Sequence, residues 1–261
     1  MFENAQWARR PAARVWWDGA VSTPPPSSKA ASSTRGPRTR SRASHSLESV
    51  LSGAVEILDE SGVPGLTIRA LATRLGGGAA SVYWYVSGRE ELLNLAADWV
   101  LGGVLEATKD VGAGDPIDDL RDIAVTMFDA IVDRPWLGAY AMRNTTLQPH
   151  SLQLYERIGE QVMRLGLTPR QTFHATSALV GFVIGIAADM GQEPPAVVVS
   201  GEMSKDEYLA DATAQWRALD PTRFPYIHHI VDEFDGHDDR DQFLGGLDLL
   251  LSGLRLQADA G

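Results

Sequence analysis

Leu47, Val50, Leu51, Ala54 and Leu58 recur at i, i+3, i+4, i+7 and i+11. That spacing puts one apolar stripe on a helix from about Ser46 to Ser61, which Gly62 and Pro64 end. The period returns in Ile68, Leu71, Ala72 and Leu75, behind Thr67 as an N-cap. Gly76 can adopt a positive φ and turn the chain. A short helix then carries Ser81, Tyr83, Trp84 and Tyr85 outward, with Val82 and Val86 as core. Ser87 is placed to cap a long helix towards Lys109, built on Leu92, Ala96, Trp99 and Gly103. Two short helices about a glycine turn are the arrangement that sets a recognition helix in the DNA major groove.

Beyond Gly112 the pattern stays helical. Asp115-Pro116 opens a helix, with proline at its first position. Leu120, Ile123, Ala124, Met127, Phe128 and Ile131 carry it to Asp133, and Pro135-Trp136 breaks it. Leu152, Tyr155, Ile158, Val162 and Leu165 predict a helix over 149–165; Gly166 stops it, and Thr168-Pro169 starts the next, to about residue 190. Residues 191–203 read as loop, with Val197-Val198-Val199 as the one tempting strand, and residues 204–219 as a weaker helix. Phe243, Leu247, Leu250, Leu251 and Leu254 predict a last helix over 239–256. The predicted fold class is all-α. Residues 45–91 form a three-helix helix-turn-helix domain, joined by the long helix to a helical bundle over 92–257. Residues 1–44, with Pro24-Pro25-Pro26, many Ser and Ala and no sustained period, read as a disordered basic arm.

Charge sharpens this picture. From Val63 to Arg89 the chain holds Arg69, Arg74 and Arg89 and no acid. Residues 1–89 carry 11 basic and 6 acidic residues, whereas residues 90–261 carry 12 basic and 28 acidic ones. A cationic N-terminal part on an acidic body can bind a polyanion, because phosphate contacts are local. Arg35, Arg38, Arg40 and Arg42 form a cluster just before the first helix; it reads either as an arm along phosphates or as a solvated tail. Arg74 lies back from the recognition helix and reads as solvated. Gly76-Gly77-Gly78 would cost helix stability, about 1 kcal/mol per interior glycine, and so loosen the recognition helix.

The segment resembles the helix-turn-helix of the tetracycline-repressor (TetR) family of bacterial transcription factors. The resemblance is carried by Leu66, Thr67, Arg69, Leu71, Ala72, Leu75 and Gly76, then by Val82, Tyr83, Trp84, Tyr85, Val86, Arg89, Leu92 and Leu93. It implies that Thr67 and Tyr83 meet phosphates and Arg69 and Ser81 face base edges. It also implies that Trp84 and Tyr85 flank the groove and that Arg89 neutralises a phosphate. Three departures stand out: Gly77 replaces a buried Val, Ala79 and Ala80 stand where longer side chains often meet bases, and Tyr85 stands where His is usual. Base preference therefore cannot be copied from the family. Softer signatures extend the resemblance into the C-terminal part: Asp133-Arg134-Pro135-Trp136, Leu165-Gly166-Leu167-Thr168-Pro169, Phe224-Pro225, and the run from Phe243 to Leu254.

That resemblance implies a homodimer on a palindromic double-stranded operator, with a small-molecule effector in the bundle. Ser177, Gly181 and Gly185 recur every four residues, and such a stripe lets another backbone approach. With Leu247, Leu251 and Leu254 it is expected to form a four-helix dimer interface, the alternative being packing inside the subunit. Trp99, Met127, Phe128, Trp136, Met142, His174 and Phe182 are candidate walls of a ligand pocket, or plain core. His228, His229, Asp232 and Glu233 hint at a metal, but a surface cluster explains them better; neither metal nor cofactor is expected. Asp235, Asp238, Asp239 and Asp241 lack calcium-loop spacing and suit the cap of the last helix.

Composition excludes several classes. There is no cysteine, hence no disulfide framework or thiolate metal site, which fits a reducing cytoplasm. The longest apolar run, Ala175 to Ala188, has about 14 positions, short of the ~20 a bilayer requires. Arg9-Arg10 has no apolar stretch behind it, so no secretory signal is expected. No Ser/His/Asp grouping, phosphate loop or carboxylate pair emerges. The expected function is a ligand-released transcriptional repressor rather than an enzyme. A ligand-independent DNA-binding protein and an activator of the same fold are the alternatives.

Overall fold

The computed structural model describes residues 45–142, 148–192, 194–234 and 238–260, which belong to one compact unit. The expected arm, residues 1–44, lies outside them, as does Asp235. Among the described residues there are helices and no strand.

The first four helices are α1 (Leu47–Gly65), α2 (Ile68–Arg74), α3 (Ala79–Val82) and α4 (Arg89–Ala107). Ser46 caps α1, accepting from the Ser49 N–H, and Gly62 breaks its helical geometry with φ 61°. Val50, Ala54, Leu58, Leu66, Leu71, Val82 and Leu92 close a core in which each is at most 1 % exposed. Gly53 lets α2 come close: a Cβ there would sit 3.1 Å from Leu71 Cδ1. Arg74 is not merely solvated, since it pairs with Glu56 at 3.1 Å and with Glu60, tying α2 to α1. Both pairs lie at the surface, where such ties contribute little. The three glycines fall in the α2–α3 turn and not in a helix interior, so the expected helix penalty does not apply.

The body follows with α5 (Pro116–Val132), α6 (Pro135–Ala141), α7 (Pro149–Met163), α8 (Pro169–Met190), α9 (Ala196–Val199), α10 (Lys205–Arg217), α11 (Pro225–Phe234) and α12 (Asp239–Asp259). Pro135 starts α6 at its first turn instead of ending order, and Val197–Val199 lie in α9 rather than in a strand. The central helix is α5, whose Leu120, Ile123, Ala124, Met127, Phe128 and Ile131 are buried. It packs against α8, α4, α7 and α12. Phe128 stacks on Phe243 of α12, centroids 3.7 Å apart, and Phe182 of α8 stacks on the same ring at 5.7 Å. Gly138 brings α6 onto α8, where a Cβ would lie 2.9 Å from Ala188 Cα.

The boundary expected between residues 91 and 92 falls inside α4, which packs on α1 and also on α5 and α7. Helices α4 and α7 run side by side in the same direction: Asp98 lies at His150 and Ser151, and Leu105 lies at Arg157. By length and composition α8 could cross a membrane, with mean hydropathy 1.5 and 22 residues. The apolar run within it understated that length, because flanking polar residues do not interrupt the helix.

Candidate nucleic-acid interface

The head is built by local capping. Thr67 Oγ1 accepts from the Ala70 N–H at 3.0 Å and starts α2. Gly76, with φ 69°, ends it. The Gly76 N–H donates to Thr73 O at 3.1 Å and the Gly77 N–H to Ala72 O at 2.9 Å, which is the Schellman closure that glycine favours. The chain is thereby turned so that α3 presents Ala79 and Ala80 to solvent, followed by Tyr83 and Trp84, 56 % and 87 % exposed. Arg69 is exposed on α2. These side chains share the acid-free stretch of the sequence.

Other expected contacts are engaged within the head. Ser81 Oγ donates to Gly78 O at 2.6 Å. Tyr85 is half-buried, and its hydroxyl donates to His45 O at the entry to α1. Arg89 Nε donates to Leu66 O at 2.7 Å and Nη2 to Val63 O at 2.5 Å. Arg89, expected to neutralise a phosphate, is exposed, and its guanidinium also donates to carbonyls where α1 ends, Val63 O accepting the Leu66 N–H as well, and so anchors α4 to the head. Ser87 does not cap α4 with its side chain. Gly88 is the N-cap, and the Glu91 carboxylate reaches back to the Ser87 N–H at 2.5 Å.

The seven expected pocket residues are not gathered around one cavity. Met127, Phe128 and Trp136 are core, and Phe182 packs on Phe243. Met142 is 63 % exposed at the end of α6, and His174 lies on the outer side of α8. Trp99 borders a groove with Val55, Val100, Thr126, Ala130 and Arg134, where head and body meet. The expected dimer leucines are likewise corrected: Leu247, Leu251 and Leu254 fill the subunit's own core. The opposite side of α12 exposes Leu249 and Leu256, and Leu250 is part-exposed at the edge of the buried stripe, because a helix rich in leucine has apolar residues on two sides. Ser177 and Gly181 do face outward, and a Cβ at Gly181 or Gly185 would meet nothing within 4 Å.

Among the described residues no cluster of three or more His, Asp or Glu could hold a metal. His228 Nε2 lies 2.8 Å from Leu219 O, and Asp232 pairs with Arg217 at 2.8 Å. Asp238 caps α12, accepting from the Arg240 and Asp241 N–H groups.

Sequence reasoning missed the polar ties between head and body. Trp136 Nε1 donates to Asp59 Oδ1 of α1 at 2.7 Å, and Tyr140 OH donates to Asn94 Oδ1 of α4 at 2.7 Å. Asp98 of α4 is 5 % exposed. It accepts from the Ser151 N–H at 2.9 Å, from Ser151 Oγ at 3.2 Å and from the His150 N–H at 3.3 Å. It thereby caps α7, which has no side-chain cap of its own. The available signal was a lone charge inside the apolar run Leu95-Ala96-Ala97-Asp98-Trp99-Val100.

A helix-turn-helix head fused through one helix to an α-helical body defines a class of DNA-binding regulator. Residues 50–96 match the family described as bacterial regulatory proteins, tetR family, and residues 108–258 match the tetracyclin repressor-like C-terminal domain. The chain belongs to the TetR family of transcriptional regulators. It is 29 % identical to the HTH-type transcriptional repressor DrrR1 of Streptomyces coeruleorubidus, over 80 % of this chain and 77 % of that protein. The structure of the transcriptional regulator SCO7222 of Streptomyces coelicolor is 34 % identical, with a TM-score of 0.70 over 81 % of this chain and 98 % of that one. ActR of the same organism, solved in complex with actinorhodin, shares the fold at 24 % identity, with a TM-score of 0.68 over 81 % of this chain and 96 % of that one.

Proposed function

We propose that this regulator is a homodimeric repressor that leaves a palindromic operator when a small hydrophobic molecule binds its body. The carrying observation is the exposure of Tyr83 and Trp84 after α3, and of Arg69 on α2, on an otherwise well-packed head. Two large aromatics in water on a head that also exposes a cation suit a surface that meets DNA. In this reading Thr67, whose cap uses a lone pair, keeps its proton for a phosphate, as does Tyr83. Arg69 meets base edges, Trp84 flanks the groove, and Ser81, Tyr85 and Arg89 hold the reading face in place.

The outer side of α8 with Ser177 and Gly181, next to Leu249, Leu250 and Leu256 of α12, supports pairing with a second copy. Pairing would set two heads about one DNA turn apart, ~34–36 Å. ActR, of the same fold, holds actinorhodin. For this chain the groove beside Trp99 supports an entry for an apolar effector, since its walls come from α1, α4, α5 and the turn before α6. An effector that prefers one tilt of α4 would shift the spacing of the heads by that differential affinity.

The test is selection of DNA from a random pool by the full chain, repeated with hydrophobic compounds present. A palindrome enriched alone and lost with a compound is the expected outcome. Enrichment unaffected by every compound, with no thermal shift, would favour the ligand-independent reading. Arg89→Ala is expected to lower the melting temperature, through loss of a charged tie of about 1.5 kcal/mol, and to weaken operator and random DNA alike. Unchanged melting with a salt slope reduced by about one unit would instead give Arg89 a phosphate contact.

A further inference from the structure

The side chains of the head divide into those whose polar atoms are engaged inside the protein and those left to the solvent. Ser81 Oγ gives its proton to Gly78 O, Tyr85 OH to His45 O, and Arg89 its Nε and Nη2 hydrogens to Leu66 O and Val63 O. Thr73 Oγ1 donates to Arg69 O. What α3 and its approach leave open is Gly78, Ala79 and Ala80, continued by Trp84, while Gly77 faces the His45 imidazole, whose Nε2 a Cβ there would meet at 2.9 Å. The face that would lie against base edges therefore offers methyl groups and an indole, whose N–H is its side-chain donor. In the major groove the base group that answers such a face is the thymine 5-methyl, which no other base carries.

We infer that this head reads its operator largely through thymine methyl groups, packed against Ala79, Ala80 and Trp84, with Arg69 supplying the polar readout. The inference rests on the DNA-binding reading above and names what that site recognises. Two observations favour DNA as the occupant of this apolar face. The stretch from Val63 to Arg89 has no acid, so phosphates can close around it. The head also exposes Arg69 on α2 and the Tyr83 side chain after α3, neither of which makes a side-chain hydrogen bond among the described residues. Gly78 has open space around its Cα, so the duplex can come near the backbone and bring its methyl groups into contact.

The test uses the full chain and the DNA it selects from a random pool. Thymines of one half-site are replaced singly by deoxyuridine, which removes only the 5-methyl. One or two positions should lose about fourfold in affinity each, the factor for one buried methyl-sized group of ~0.8 kcal/mol. Bromodeoxyuridine, whose bromine fills the same volume, should restore binding at those positions. In Ala79→Gly/Ala80→Gly the ratio between thymine and deoxyuridine duplexes should shrink towards one. That ratio is internally referenced, so a weakened α3 does not mask it. Full insensitivity to deoxyuridine, with binding lost on 7-deazaguanine substitution, would overturn methyl readout and leave recognition to Arg69 on guanine. If no sequence is enriched over random DNA, the DNA-binding reading fails and this inference falls with it.

Discussion

Phe243→Ala is expected to destabilise the protein by about 3–5 kcal/mol, the range for removing a buried phenyl ring. The ring is fully buried on α12 and lies between Phe128 of α5, at 3.7 Å and nearly parallel, and Phe182 of α8, at 5.7 Å. Each helix contributes one ring, so truncation removes the contact that all three share. Collapse is hindered, because Gly246 already lets Phe182 approach until a Cβ would sit 2.6 Å from it. Urea unfolding followed by circular dichroism, at fixed protein concentration because association shifts apparent stability, measures the loss. A cost below about 1 kcal/mol would mean that Phe128 and Phe182 close the gap and that the body is softer than its packing indicates. The same variant bears on the effector: a dry cavity lined by phenyl rings should bind a small aromatic and regain stability. The wild-type core, filled at that point, should not.

The legibility of the chain follows from how far each signal reaches. The α2–turn–α3 unit was readable because its determinants are local: Thr67 caps three residues ahead, and Gly76 turns where only glycine is comfortable. The roles of Tyr85 and Arg89 were not readable. Their partners are the carbonyls of His45, Leu66 and Val63, up to 40 positions away, and no residue type signals a carbonyl acceptor. The leucines of α12 show a third case. Periodicity located the helix, but Leu247, Leu251 and Leu254 were assigned outward although they face the subunit's own core. A stripe states that a face is buried without stating by what. Met127, Phe128 and Trp136 are core for a similar reason: aromatic and Met residues at helical spacing fill cores more often than they line cavities, whereas Trp99 does border a groove. Helix α11 has no counterpart among the expected elements, although Pro225 stands at its first position, where proline suits a helix start.

Asp98→Ala should cost about 2–3 kcal/mol, since it removes both a buried charge-assisted acceptor and the cap of α7. The carboxylate accepts two backbone N–H groups and a hydroxyl at the first turn of α7, and the His150 Nδ1 atom lies 3.0 Å from Oδ2. Asp98→Asn keeps an acceptor without the charge and should cost about half as much. Farther along the same pair of helices, Arg157 of α7 donates to Leu105 O at 2.6 Å and to Thr108 Oγ1 at 2.9 Å, closing the end of α4. Each helix thus satisfies a terminus of the other: α4 caps the start of α7, and α7 caps the end of α4. With Arg89 holding its beginning to the head, α4 cannot tilt unless it carries α7 with it or exposes these groups. Hydrogen exchange distinguishes the two possibilities. Loss of Asp98 should speed exchange in the first turn of α7 well beyond the change seen in α10, which packs on α11. Equal acceleration in both would make Asp98 a contributor to global stability alone, whereas a local effect would make α4 and α7 a splinted pair that moves as one lever when the heads change spacing.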